Sequence, residues 1–264
     1  MNIIVCIKQV PDTNEVKIDQ KTGTLIREGV PTIMNPDDKH ALIEAIKIKN
    51  KHKGKVTVIS MGPPQAEEAL RESLAFGADE AILLCDRAFA GSDTWATANA
   101  IGAAIKHIGN YDLLLFGRQA IDGDTAQVGP QVAEFLSLPQ ITYAQKIELG
   151  EGKVKVERQM EEGYEVIEAA LPCLITCVSE INEIGYPSLH GIKEAYREKE
   201  VRVLSAEEIE VDKYKIGLLS SPTSVKKSFT PPAKGQGQIL KGSTKEVVEK
   251  LVSILKEKEI IGAF

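Results

Sequence analysis

The chain has 264 residues, 43% of them hydrophobic and 27% charged, with a formal net charge of -6. That is globular composition with enough length to bury a substantial core, and the acidic balance argues against a nucleic-acid or anionic-membrane partner. No apolar run reaches the roughly 18 residues needed to cross a bilayer, and the four cysteines follow neither a disulfide nor a zinc spacing.

Taken in order, Asn2-Ile-Ile-Val-Cys-Ile-Lys-Gln-Val10 reads as a strand closed by Pro11-Asp12. The opening residues lack a basic n-region, so no signal peptide is expected, and reduced buried thiols point to the cytoplasm. A small hairpin is predicted next, Val16-Lys-Ile-Asp19 and Thr24-Leu-Ile-Arg27 around a Lys21-Thr-Gly23 turn. In Met34-Asn-Pro-Asp-Asp38 the Asn35 side chain suits a cap, Pro36 the first helical position, and Asp37 and Asp38 the electropositive first turn. A helix over 37–50 follows, with His40 and His52 on its solvated side. Then come a strand over 55–60 ending at Met61, a helix over 65–76 stopped by Gly77, a strand over 81–85 and a helix over 93–108. This alternation is the signature of right-handed crossovers and a doubly wound parallel sheet.

The apolar run Asp112 to Phe116 is short and continuous, as in a strand buried on both faces. It leads into Gly117-Arg-Gln-Ala-Ile-Asp-Gly-Asp-Thr-Ala-Gln-Val-Gly-Pro130 and then into a helical segment from Gln131. Glycines that permit close backbone approach, mixed with polar donors and acceptors at the carboxyl end of a strand, predict a site for a phosphate-bearing ligand. From Pro139 the pattern turns β-rich, with turns at Gly150-Glu-Gly152 and Glu161-Glu-Gly163. Residues 141–178, including the apolar run Pro172 to Val178, read as an antiparallel extension of the sheet. Glu157, Glu161, Glu162, Glu165 and Glu168 alternate with apolar residues, which marks a solvated strand face rather than an acid/base pair.

Past Gly185 the sequence changes character. Tyr186-Pro-Ser-Leu-His-Gly-Ile192 is a loop, residues 193–200 are a charged helical turn or two, and Pro222 to Gly242 has no period. Gly235-Gln-Gly-Gln lacks the third glycine and the preceding strand of a dinucleotide fingerprint. Ser243-Thr-Lys-Glu246 is a capping box, and Val247, Val248, Leu251, Val252 and Leu255 define an amphipathic helix suited to a partner. The chain thus divides into an α/β domain over 1–184 and an arm over 185–264 that embraces a partner.

Four segments together resemble the beta subunit of electron-transfer flavoproteins. They are Val5-Cys-Ile-Lys-Gln-Val-Pro-Asp12, Ile33-Met-Asn-Pro-Asp-Asp38, the loop from Arg118 to Pro130, and Val156-Glu-Arg-Gln-Met-Glu-Glu-Gly-Tyr-Glu-Val166 leading to Leu171-Pro-Cys-Leu-Ile-Thr176. The resemblance implies a heterodimer with an alpha subunit that carries an electron-transferring FAD, while this chain binds a nucleotide of its own. By position that nucleotide meets Cys6, Asn35, Pro36, Asp37, Asp38, Met61 and the run Asp122, Gly123, Asp124, Thr125, Ala126, Gln127, Val128, Gly129, Pro130, Gln131, Val132, Ala133. In simple carriers of the family it is a structural AMP. In the electron-bifurcating group it is a second FAD, which takes a hydride from NADH and splits the pair between the alpha-subunit FAD, serving a dehydrogenase, and ferredoxin.

The wording Asp122-Gly-Asp-Thr-Ala-Gln-Val-Gly-Pro130 resembles the bifurcating group, and small Gly123 and Ala126 leave room for a pyrophosphate and ribityl chain. Leu189 falls where the family carries the leucine of its recognition loop, which docks into an FAD-linked dehydrogenase. Residues 193–200 mix acidic with basic side chains, which departs from the basic mitochondrial members and leaves acyl-CoA and lactate types both open. A nucleotide-sensing module without redox work is the reading from a different class. A stand-alone hydrolase is disfavoured, since the chain has no nucleophile elbow, P-loop or metal-ligand cluster.

Overall fold

A computed structural model describes residues 1–12, 31–226 and 237–262. The predicted hairpin over 16–27 and the glycines at 235 and nearby lie wholly or partly outside the described residues. The chain forms two compact units, Met1–Lys227 and Ser228–Phe264.

In the first unit the elements are β1 (Asn2–Cys6), β2 (Gln9–Pro11), β3 (Thr32–Met34), α1 (Pro36–His52), β4 (Lys55–Met61), α2 (Glu67–Phe76), β5 (Glu80–Leu84), α3 (Thr94–Ile108), β6 (Leu113–Gly117) and α4 (Val128–Leu136). They continue as β7 (Gln140–Leu149), β8 (Lys153–Met160), β9 (Gly163–Ala170), β10 (Cys173–Cys177), α5 (Leu189–Arg197) and β11 (Val201–Leu204). Nine strands make one sheet in the order β11-β5-β4-β1-β6-β10-β7-β8-β9, and β2 pairs with β3 apart from it. Every pair from β11 to β7 is parallel, and β7-β8-β9 is antiparallel.

Period-two alternation assigns the two faces. Ile3, Val5 and Ile7 join Leu42, Leu70 and Leu74 under α1 and α2, whereas Ile4 and Cys6 join Ile101, Ile105 and Val132 under α3 and α4. Helix ends follow the local chemistry. Asp93 caps α3 by accepting the Ala96 N–H at 3.0 Å, and Gly77 ends α2 at φ 118.

One expectation is corrected. The run Cys173–Cys177 is not part of the antiparallel extension but lies in the parallel body, between β6 and β7. All five of its residues are buried, and a strand flanked on both edges and covered on both faces needs such a continuous apolar run. The extension proper is β8 and β9. Its acidic residues pair across strands, with Lys146 to Glu157 at 3.0 Å, Lys153 to Glu168 at 2.8 Å and Arg158 to Glu165 at 3.1 Å.

Within residues 185–226, α5 packs on α2 and β11 joins the edge of the sheet. Ser188 caps α5 through the Gly191 N–H, a Cβ at Gly191 would collide with the Ala75 carbonyl, and Ala195 is fully buried, so small residues seat α5 on α2. β11 then lies beside β5, and the boundary between compact units falls after Lys227. In the second unit, α6 (Thr244–Glu257) begins with the predicted capping box between Ser243 and Glu246 and exposes Val248, Leu251 and Val252.

Burial rather than surface charge holds this sheet together. Ile175→Ala at the centre of β10 is expected to destabilise the chain by about 2–5 kcal/mol through lost contacts and a residual cavity. Lys153→Ala, at an exposed pair, should leave the urea midpoint in place. Equal shifts in the two midpoints would reverse that ranking.

Candidate functional site

The strand order reverses beside β1. The chain runs β1, β4, β5 in one direction, then α3 carries it back so that β6 lands on the other side of β1. This is a topological switch point, where the loops leaving β1 and β6 diverge and open a crevice at their carboxyl ends.

The first turn of α1 binds both loops. Asn35 is fully buried and does not cap its own helix, contrary to the sequence expectation. Its Nδ2 donates to the Gln119 carbonyl at 2.8 Å and its Oδ1 accepts the Ile121 N–H at 3.0 Å, so the buried amide finds its partners in the loop after β6 rather than on its own helix. Asp38 accepts the Lys8 N–H at 2.8 Å on one carboxyl oxygen and the Gly117 N–H at 3.1 Å on the other. A Cβ at residue 117 would overlap the Asp38 carboxyl, so glycine is required there. Asp37 faces the Arg118 guanidinium at 3.3 Å. Lys8 reaches across to Asp122, with Nζ 2.7 Å from each carboxyl oxygen.

Burial pushes the Asp38 carboxyl up to about 7, against the pull of its two backbone donors and Asn35, and the neighbouring Asp37 charge adds to the rise. Burial likewise raises Asp37, although Arg118 and His40 oppose it, and raises the Cys6 thiol, with the Asp38 charge adding. A carboxyl raised in this way stabilises the fold most when protonated. Its contribution is complete below about pH 4 and is lost as the pH rises through about 7.

Beyond Asp122 the loop changes from side-chain to backbone chemistry. Asp124 and Ala126 both take φ of 53, and Gln127 follows at φ -105, ψ -29. A left-handed residue followed by a right-handed one turns successive N–H groups toward one point, which is an anion-binding concavity. No side chain caps α4, and Pro130 has no N–H, so the electropositive start of the helix opens on the same loop. Gly129 lies against Thr176, where a Cβ would come within 2.7 Å of the Thr176 methyl, and this lets the helix start approach β10. Gln127 Oε1 accepts the Thr94 hydroxyl at 3.2 Å, which ties the loop to α3. Nothing lies within 4 Å of a Cβ built on Gly123.

The expected residues therefore fall into three groups. Cys6, Asn35, Pro36, Asp37, Asp38 and Asp122 come together around the exits of β1 and β6. Gly123, Asp124, Thr125, Ala126, Gln127, Val128, Gly129 and Pro130 form the loop and helix start, with Met61 at the end of β4 beside β1. Val132 and Ala133 point into the core and are fully buried, and only the Gln131 side chain, whose Oε1 is buried without a partner, is polar there. Gly117, expected as a position of close backbone approach, is one; sequence reasoning overlooked Lys8, Arg118, Gln119 and Thr94, whose contacts join segments far apart in the chain. It also overlooked Tyr143, held at φ 59 where its N–H donates to Thr176 Oγ1 at 3.1 Å beside a bulge in β7. His40 is half-buried, with its Nδ1 2.9 Å from Asn182 Oδ1. A concavity of about 390 Å³ lined by Lys106, His107, Phe135 and Asp212 lies further along α3 and shares no residue with the loop.

A family model described as electron transfer flavoprotein domain matches residues 22–209. Similar relatives include an electron transfer flavoprotein subunit beta from Thermoanaerobacterium thermosaccharolyticum, 59% identical over 261 residues that cover 99% of this chain and 100% of the relative. The caffeyl-CoA reductase-Etf complex subunit CarD of Acetobacterium woodii is 57% identical over 263 residues, 99% of this chain and 100% of its own. An acryloyl-CoA reductase electron transfer subunit gamma from Anaerotignum propionicum is 48% identical over 268 residues, with the same coverage.

The side chain of Asn35 satisfies one carbonyl and one N–H in the loop interior. Asn35→Ala removes the partner of both and is expected to cost about 1–3 kcal/mol in urea denaturation, since both groups are only partly buried. A loss within the error of the measurement would show that water replaces the amide.

Proposed function

Since the chain belongs to the electron transfer flavoprotein family, as its beta subunit, we propose that its switch-point crevice binds FAD and that the subunit works in electron bifurcation. The observation that carries this reading is the converging backbone at Ala126 and Gln127 beside the uncapped start of α4. Backbone N–H groups in that arrangement suit a pyrophosphate, and the open space at Gly123 suits a ligand that continues beyond an adenylate.

The protein's own part is to bind and orient. Asn35 and Asp38 fix the spacing of the two loops, Lys8 and Arg118 neutralise Asp122 and Asp37, and Gly129 brings the donors at the start of α4 close to the sheet. Bound FAD would supply the hydride acceptance from NADH and the division of the electron pair. On this reading one electron would go by way of the alpha subunit toward a dehydrogenase and the other to ferredoxin. Two of the similar relatives bear the names of CoA reductase systems, which favours an acyl-CoA type of dehydrogenase over a lactate type for this chain.

Leu189 is 88% exposed at the start of α5, with Tyr186 and Ile192 beside it in sequence, and α5 is held on α2 by Arg71 donating to the Ala195 carbonyl at 2.7 Å. This is the surface offered to the dehydrogenase. The exposed apolar face of α6 is offered to the alpha subunit.

Two measurements test the assignment. Denaturing the purified alpha-beta complex should release about two FAD per heterodimer, one from each subunit; one FAD and one AMP would make the chain a simple electron carrier with a structural nucleotide. Leu189→Ala should slow electron delivery to the dehydrogenase by about tenfold or more while leaving nucleotide content unchanged, as expected of an apolar anchor at the centre of an interface. Unchanged delivery would move the docking surface elsewhere.

A further inference from the structure

We propose that Asp38 is the positioning residue of the crevice and that nucleotide binding there is linked to proton uptake by its carboxyl group. The proposal rests on the reading of the crevice as a nucleotide site. It starts from geometry: a single carboxyl group, 8% exposed, joins the backbone leaving β1 to the backbone leaving β6, the two strands between which the sheet reverses. Any closure of those loops on a ligand is transmitted to its two N–H contacts.

Among the described residues no cation is paired with its carboxylate. On its own helix Asp37 lies beside it and is engaged by Arg118 from the β6 loop. From β1, the Lys8 ammonium turns away to Asp122, and the Cys6 thiol is a neutral neighbour. From β10, the Cys177 thiol is buried and pushed up by burial first, with the charges of Glu44, Asp37 and Asp38 adding. A phosphate arriving in the crevice brings further negative charge to a group that burial already holds at about 7. The liganded state then keeps the proton to higher pH than the free state, so affinity is greatest on the acid side of neutrality and falls above it.

The test is calorimetric titration of the nucleotide-stripped heterodimer, its alpha-subunit flavin in place, with FAD and separately with AMP. Two buffers of different ionisation enthalpy are used, from about pH 6 to about pH 8.5. Wild type is expected to take up a fraction of a proton near neutrality and to weaken about three- to tenfold across the range, whereas Asp38→Asn loses both, the difference cancelling protons that belong to the ligand. Proton uptake retained in Asp38→Asn, or absent from wild type, overturns the proposal. Should the variant fail to fold, the wild-type buffer dependence decides alone. Binding of neither nucleotide overturns both this proposal and the functional reading, whereas binding without proton exchange overturns only the proposal.

Discussion

The constraint on which the rest of this structure depends is the satisfaction of buried polar groups at the start of α1. Strands β1 and β6 are neighbours in the sheet, but their mutual ladder ends at Cys6 and Phe116, and the Lys8 and Gly117 N–H groups beyond it are taken by the Asp38 carboxylate instead. Buried amides without partners cost about 1–3 kcal/mol each. The protein meets that demand from a third element: Asn35 and Asp38 reach out of a helix start instead of capping it, and together they engage Lys8, Gly117, Gln119 and Ile121. The crevice is therefore held open by side chains that sit beneath it.

That arrangement is possible because the sheet below is stiff. Seven parallel strands run from β11 to β7, and the buried residues on their two faces form separate clusters under α1 and α2 and under α3 and α4. Each fully buried Leu or Ile contributes on the order of 1.5–3 kcal/mol, and Ile3, Leu42, Leu70, Leu113, Leu114 and Leu115 are among the largest such side chains. Against this, the cross-strand ion pairs of β8 and β9 are solvent-exposed and screened, so they tune the extension without holding it. The strain tolerated at Ala126 and at Tyr143 is paid for by that core.

Most of the architecture was legible in the sequence because it is local. Continuous apolar runs marked β1, β4, β5 and β6, and Gly77, Asp93 and the capping box at Ser243 marked helix ends, each through a short-range signal. β10 was misplaced because an apolar run of five residues has no period that tells an edge from a centre; its place depends on what lands on either side. The site was legible in part for the same reason. The loop over 122–130 carries its glycines in sequence, but the Lys8–Asp122, Arg118–Asp37 and Gln119–Asn35 contacts each join residues more than 75 positions apart. Asn35 was recognised as a helix-start residue, yet the local rule assigned it the wrong partner, since burial made the distant carbonyl and N–H more costly to leave than its own helix end.

On the proposed reading, an acidic crevice has to accept a phosphate, and the charge arrangement says where the attraction would come from. Four carboxyl groups, Asp37, Asp38, Asp122 and Asp124, lie on its walls or loop, with Lys8 and Arg118 as the cations that engage them. Each cation is committed to one carboxylate, and Asp124 takes the Gln119 amide at 2.6 Å, so no side chain offers an uncommitted positive charge to a ligand in these contacts. Attraction must then come from oriented backbone dipoles at Ala126, Gln127 and the start of α4, whose positions are fixed before a ligand arrives and whose strength does not change with pH. Selectivity follows from the same division. On the proposed reading, the acids at the entrance would repel anions in general while the backbone donors of the loop would favour one placed within it, so a dinucleotide would be distinguished from free phosphate by where it can put its charge.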